Sequence, residues 1–270
     1  MPHFTASDKT RIAYYIDDAT KPWTQPDTLL LLHPAMGSAR RYFAWIPPLC
    51  GHYRVLRMDM RGHGASDVPG PESELSMHRL MQDVIELLDH IGCNSAHMAG
   101  TSAGGYIAQN LALEHPERVK SLLLFSSTPG LRQSKWPSWL PRVAEIGLRQ
   151  FLAENLKGRL PVEQLDPKHI EWFLDEADKL DMAFGGRLVT LMSSLDWSDR
   201  LGELRCPTLV AKPGAAGIGN ENEYDLMGER IPNVQMVTYE GLPHHLTDAV
   251  PERCVADVLA FLRWHFGAPA

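Results

Sequence analysis

The ten residues His97-Met-Ala-Gly-Thr-Ser-Ala-Gly-Gly-Tyr106 constrain this chain more than any other stretch. They contain Gly100-Thr-Ser-Ala-Gly104, a G-x-S-x-G pentapeptide. Before it, Ala96 to Ala99 is short, small and mostly apolar, as the end of a buried strand should be. After it, Tyr106 to His115 carries apolar residues at helical spacing, and Pro116 stops the pattern. The spacing predicts a strand, a tight turn with Ser102 at its apex, and a helix, which is the context this motif requires. A Cβ at position 100 or 104 would clash with neighbouring backbone, and the turn holds its serine under strain with the hydroxyl pointing outward. The helix N-terminus then aims backbone N–H groups at the same spot, which suits a developing negative charge.

The rest of the chain reads as strands alternating with helices. Phe4 to Ile16 predicts an edge hairpin, with Ser7-Asp8-Lys9 as its turn. Leu29 to Leu32 and Val119 to Phe125 are continuous apolar runs, the mark of strands buried on both faces. Tyr53 to Met58, Pro207 to Lys212 and Val234 to Tyr239 are further strands. Helical periods run through Leu75–Ile91 and from about Pro251 to His265, with a short helix from Tyr42 to Leu49. From Leu131 to about Leu195 only helices and turns are expected. This alternation implies a mostly parallel sheet covered on both faces.

Several separated segments together resemble the α/β-hydrolase superfamily. They are His33-Pro-Ala-Met-Gly37, Asp59-Met-Arg-Gly-His-Gly-Ala-Ser66, the serine pentapeptide, His115-Pro-Glu-Arg-Val119, Pro207-Thr-Leu-Val210, and His244 followed by Pro251. Within that superfamily the chain looks most similar to 3-oxoadipate enol-lactonases and related small esterases and lactonases. The resemblance implies a sheet of about eight strands and a core of residues 1–129 and 196–270. A helical cap, 130–195, is inserted in it.

A serine hydroxyl needs a base within hydrogen-bond reach. The resemblance places that base in the loop after the last strand and aligns His244 with it, with His245 as the fallback. An oxyanion hole needs two backbone N–H groups aimed at one point. Ala103 follows the nucleophile and offers one. Pro34 has no N–H, so Ala35 offers the other, with Met36 next. His33 reads as structural, and Asp59, Arg61 and His63 as pins of a tight turn near the site. The usual acid position falls on Ala216, and the alternative position after the preceding strand reads Phe125-Ser-Ser-Thr128. Neither holds a carboxylate. Glu221, Glu223 or Asp225 would have to reach back, or the chain is an altered form of one with Asp at position 216, or the imidazole goes without. Met36, Trp136, Trp139 and Phe184 are expected in an apolar substrate pocket. One or two of Arg132, Lys135, Arg142, Arg149, Lys157 and Arg159 are expected to hold a substrate carboxylate.

The leading expectation is therefore a cofactor-free, metal-free serine hydrolase of a small ester or lactone. Hydrolysis of a carbon–carbon bond in a ring-cleavage product uses the same parts and competes with it. A ligand-binding protein that has kept the pocket is the third reading, supported by Ala216. The net charge of −7 with no basic run argues against a nucleic-acid partner. Thr28 to Leu32, the most apolar short run, is too short to span a bilayer. The first residues lack a charged-then-apolar signal pattern, and Cys50, Cys93, Cys206 and Cys254 are scattered without a C-x-x-C pair. A cytoplasmic protein with reduced, mostly buried thiols is expected. The oligomeric state stays open, a homodimer among the options.

Overall fold

All five residues of Thr28–Leu32 are buried, because this strand lies in the middle of the sheet with helices over both faces. A computed structural model describes residues 1–131, 136–215, 218 and 221–268, apart from the side chains of Trp136 and Glu221. The strands are β1 (His3–Thr5), β2 (Arg11–Asp17), β3 (Thr28–Leu32), β4 (Arg54–Met58), β5 (Ala96–Thr101), β6 (Val119–Phe125), β7 (Thr208–Pro213) and β8 (Val234–Tyr239). The helices are α1 (Ile46–Leu49), α2 (Met77–His90), α3 (Ala103–Glu114), α4 (Trp136–Ile146), α5 (Leu148–Glu154), α6 (Pro167–Ala177), α7 (Met182–Ser193), α8 (Glu221–Arg230), α9 (Leu246–Ala249) and α10 (Pro251–Phe266). A 3-10 segment, Ala39–Trp45, precedes α1. The sheet order is β1-β2-β4-β3-β5-β6-β7-β8. The β1–β2 and β2–β4 pairs are antiparallel and all other pairs are parallel. This is the eight-stranded α/β-hydrolase arrangement anticipated from the sequence.

Strand alternation sorts the core into two layers. Leu30, Leu32, Leu56, Met98, Leu122, Leu124 and Val210 face α2, α3 and α8. Leu29, Leu31, Val55, Ala99, Leu123, Phe125 and Leu209 face the 39–49 segment and α10. The order reverses around β3, which pairs with β4 on one side and β5 on the other. In open α/β sheets the crevice beyond the carboxyl ends of such strands is where ligands bind. The loops after β3 and β5 meet there.

The helical stretch between β6 and β7 is not one uniform unit. Residues of α4, α5 and α6 build their own apolar cluster around Phe151, Leu160 and Phe173, with Met36 as the core residue that joins it. Phe184, Leu188 and Met192 of α7 belong instead to the apolar cluster that also holds α2 and α3. Among the described residues no helix is long and apolar enough to cross a membrane. All four cysteines are free thiols, but only Cys254 is buried while the other three are half-buried. Their helix-end and strand-end positions give them less cover than the sequence pattern suggested.

Candidate active site

Ser102 sits where β5 ends and α3 begins, with φ 50° and ψ −116°. Such a conformation costs on the order of 1–3 kcal/mol for a residue with a side chain, so neighbours must hold it. The Ser102 N–H donates to the Phe125 carbonyl at 3.0 Å. Its carbonyl accepts from the N–H of Gly105 at 2.9 Å, the N–H of Tyr106 at 3.1 Å and the Ser127 hydroxyl at 2.8 Å. Close approach does the rest. A Cβ on Gly104 would lie 2.1 Å from the Leu32 carbonyl oxygen, and one on Gly105 would lie 2.2 Å from the Ser127 hydroxyl. Met36 (φ 60°) and Ser126 (φ 51°) share the left-handed region. Backbone strain is therefore concentrated just beyond the ends of β3, β5 and β6, around one point.

The loop after β3 supplies the opposite wall. The N–H groups of Ala35, Met36 and Ala103 donate to no other described residue, and all three residues line the same cavity as Ser102. His33 has no free nitrogen. Its Nε2 accepts from the Met60 N–H at 3.0 Å, so the proton is on Nδ1, which donates to the Pro34 carbonyl at 2.8 Å. Burial pushes its pKa down to about 4. The Asp59 carboxylate accepts from the N–H groups of Ala39 (2.7 Å) and Ala65 (2.9 Å), and Arg61 forks onto the buried Asp83. His63 bonds the Arg61 carbonyl and packs edge-on against Phe184. The 59–66 segment thus serves as architecture, as its sequence implied.

His244 and His245 follow β8 and are almost fully buried. Burial first, then the charge of Arg159, push His244 down to about 3, with the Ile218 backbone opposing. The Ile218 backbone approaches the ring without closing a hydrogen bond to Nδ1, which has no partner among the described residues. Burial and then Arg41, His244 and Arg159 lower His245 well below the usual range. Both rings are neutral near pH 7, the form that accepts a serine proton. A pKa near 3 makes a weak base, and a carboxylate at Nδ1 would raise it.

Ser102, His244, His245, Ala35, Met36 and Ala103 share one cavity of about 40 Å³. Its other walls are mostly apolar, with Leu188, Val189 and Met192 from α7 and Leu131 and Ile218 from adjoining loops. Two of the expected pocket aromatics lie elsewhere. Trp139 packs on Phe151 in the separate α4–α6 cluster, and Phe184 is buried against Gly62 and His63. Trp136, through its side chain, lies outside the described residues. Of the basic residues, Arg142 and Arg149 pair with carboxylates at the surface. Arg159 is different. It is buried and lines the cavity, and burial together with the charge of Arg41 lowers its pKa to about 10. Nothing in its local sequence separated it from its basic neighbours. Tyr106, which the sequence read as one more helical apolar residue, also lines the cavity. Thr128 spends its proton on the Gly130 carbonyl at 2.6 Å, so the Tyr106 hydroxyl is the donor in their 3.4 Å contact. Its position, one turn after Ser102, was the available signal.

A family model described as the alpha/beta hydrolase fold matches residues 27–170, more than half of the chain. The chain belongs to this α/β-hydrolase family. Among curated relatives, this α/β-hydrolase is 29% identical to a pimeloyl-acyl-carrier-protein methyl ester esterase of Aeromonas hydrophila, over 81% of this chain and 88% of that protein. It is also 29% identical to a 2-hydroxy-6-oxo-6-phenylhexa-2,4-dienoate hydrolase of Comamonas testosteroni, over 68% of this chain and 69% of the other. The crystal structure of an enol-lactonase from Burkholderia xenovorans superposes with a TM-score of 0.88, covering 97% of this chain and 99% of its own at 20% identity. That likeness speaks for the fold. The family and its relatives make the chain an enzyme of the hydrolase class.

No carboxylate among the described residues bonds Nδ1 of His244. Ala216 and the side chain of Glu221 lie outside the described residues. Asp225 pairs with Lys212 at 3.3 Å and is largely exposed. Glu223 is close enough to raise the Tyr106 and Tyr224 hydroxyls by its charge, but it makes no hydrogen bond to His244 Nδ1. Asp248 is committed to Arg41.

Proposed function

We propose that this α/β-hydrolase is a serine hydrolase of a small ester or lactone. The observation that carries the reading is the strained Ser102, which lines one cavity with His244 and with Ala35 and Ala103, whose N–H groups no described residue engages. Ser102 attacks the carbonyl while His244 takes its proton. The N–H groups of Ala35 and Ala103 hold the oxyanion, and His244 returns the proton to the leaving oxygen. Water then releases the acyl group by the same route reversed. The helical segment between β6 and β7 acts as the lid, since Arg159 and α7 form part of the cavity wall. At about 40 Å³ the cavity is smaller than the 150 Å³ that takes a benzene ring, so a substrate of that size needs the wall to move. Apolar walls with one buried guanidinium suit a substrate that carries a negative group away from its reacting carbonyl.

With Ala216 in the acid position, turnover is slow, because losing the acid from a serine–histidine pair costs on the order of 10⁴-fold. The test is turnover of an activated ester and an enol-lactone, with intact mass following the acyl-enzyme. Ser102→Ala and His244→Ala should lose both the mass increase and the turnover. Full activity in Ser102→Ala would remove the reading. The Comamonas relative keeps a carbon–carbon hydrolase in play, and product analysis on a ring-cleavage dienoate separates the two.

A further inference from the structure

Beside the histidine loop lies a buried ion pair that the proposed chemistry does not use. Arg41, in the segment that follows the Ala35 loop, forks onto Asp248 of α9, with Nε to Oδ1 at 2.6 Å and Nη2 to Oδ2 at 3.1 Å. The two side chains are 1% and 0% exposed. Taking both charges out of water is costly, and a well-packed apolar pair in their place is often as stable or more so. Stability alone is therefore a poor reason for the pair, and its neighbours suggest a better one.

The same Nη2 lies 3.4 Å from Nδ1 of His245. A guanidinium only donates, so Nδ1 accepts and the His245 proton sits on Nε2. The His245 ring in turn meets the His244 ring edge-on at 5.1 Å. From the other element, Phe173 of α6 lies 4.0 Å from the Arg41 guanidinium and 4.9 Å from the His245 ring. One turn further along α6, Glu176 accepts from the Ser38 hydroxyl at 3.2 Å and pairs with Arg40 at 2.7 Å. The α6 helix thus grips residues 38–41 and, through Arg41 and Phe173, the histidine turn. The Arg159 carbonyl adds another tie by accepting from the His245 N–H at 2.9 Å.

We propose that Arg41 and Asp248 are positioning residues. Their ion pair fixes the 244–248 turn, and through His245 the ring of His244, by way of a contact that depends on where α6 is seated. This rests on the serine–histidine reading above. It gives an imidazole with no described partner on Nδ1 a support through the His245 ring, and it couples the base to the helical segment over the site.

The experiment measures the rate at which an organophosphonate ester labels Ser102, read by intact mass, alongside Tm, for the chain as it stands and three variants. Arg41→Met/Asp248→Leu removes both charges together and should hold Tm within a few degrees. Its labelling should slow by about 10²-fold, the usual effect of a displacement near 1 Å. Arg41→Lys keeps the charge without the fork and should fall between. Phe173→Leu leaves the ion pair intact and should slow labelling several-fold at an unchanged concentration for half-maximal rate. Wild-type labelling rates in the folded double variant, or in Phe173→Leu where the double variant does not fold, overturn the proposal. Labelling that survives in His244→Ala would instead overturn the serine–histidine reading beneath it, whatever the variants do.

Discussion

The serine turn and the histidine loop face each other across one cavity and are held in opposite ways. Ser102 is fixed by backbone. Four hydrogen bonds reach its N–H and carbonyl, and Gly104 and Gly105 admit neighbours to distances at which no Cβ fits. The histidine turn is held by side chains instead: Arg41 and Phe173, from far along the sequence, reach its Asp248 and His245, while the Nδ1 of His244 has no described partner. On the proposed reading, the site is rigid at its nucleophile and under-supported at its base. Failure at the first would cost the fold, whereas failure at the second would cost rate.

The sharpest way to break this contrast is to give the base its acid. Ala216→Asp should raise kcat on an activated ester by about 10⁴-fold, and a steady-state assay with no gain would mean that His244 is already supported. Next in size is the stability of the serine turn. Gly104→Ala should lower stability by more than about 3 kcal/mol, roughly 10 °C in Tm for a chain of this size, because the new methyl meets the Leu32 carbonyl. Thermal denaturation checks it, and a small change would mean the turn is looser than its contacts imply. A smaller effect is expected at the cavity wall. Arg159→Met should raise KM about 10-fold for an ester carrying a distal carboxylate and leave KM for its neutral analogue unchanged, since a hydrogen bond to a charged group contributes about 1.5–3 kcal/mol. The smallest change at neutral pH comes from the buried imidazoles. His33, His63, His97 and His244 are held at about 4, 3, 4 and 3 by burial, against about 6.5 in an unfolded chain. Below pH 6.5 the unfolded state takes up protons that the native state refuses. Tm should therefore be flat above that pH and fall steadily toward pH 4. A Tm that holds to pH 4 would show that these rings protonate in place.

What the sequence revealed follows the same division. The serine turn was legible because close backbone approach demands glycine at set intervals. The strands were legible because burial on both faces leaves unbroken apolar runs such as Leu29–Leu32. The inserted helices were legible as helices but not in their packing. Trp139 and Phe184 fit an apolar pocket equally well as residue types, yet one packs within the α4–α6 cluster and the other against Gly62 and His63. Periodicity tells which side of a helix is apolar, not what lies against it. Arg159 and Arg149 are likewise alike in sequence, and what separates them is tertiary. Carboxylates on α6 meet Arg149 at the surface, while Arg159 is carried inside. Tyr106 escaped notice because its hydroxyl matters only once the helix is placed beside Ser127 and Thr128.

The chain leaves the sheet and returns to it through a zipped base. Gly130 bridges Asp196, the Leu131 N–H donates to the Leu195 carbonyl at 3.1 Å, and the Trp197 N–H donates to Pro129 at 2.9 Å. More than sixty residues therefore begin and end at one hydrogen-bonded point, like a handle fixed by both ends to the same plate. The pairing of β6 with β7 is made by residues outside the handle, on either side of that point. In such an architecture part of the cavity wall belongs to the handle while Ser102 and Ala35 belong to the ends of the strands, so the shape of what enters is set by a different piece of chain from the one that holds the proposed reacting groups.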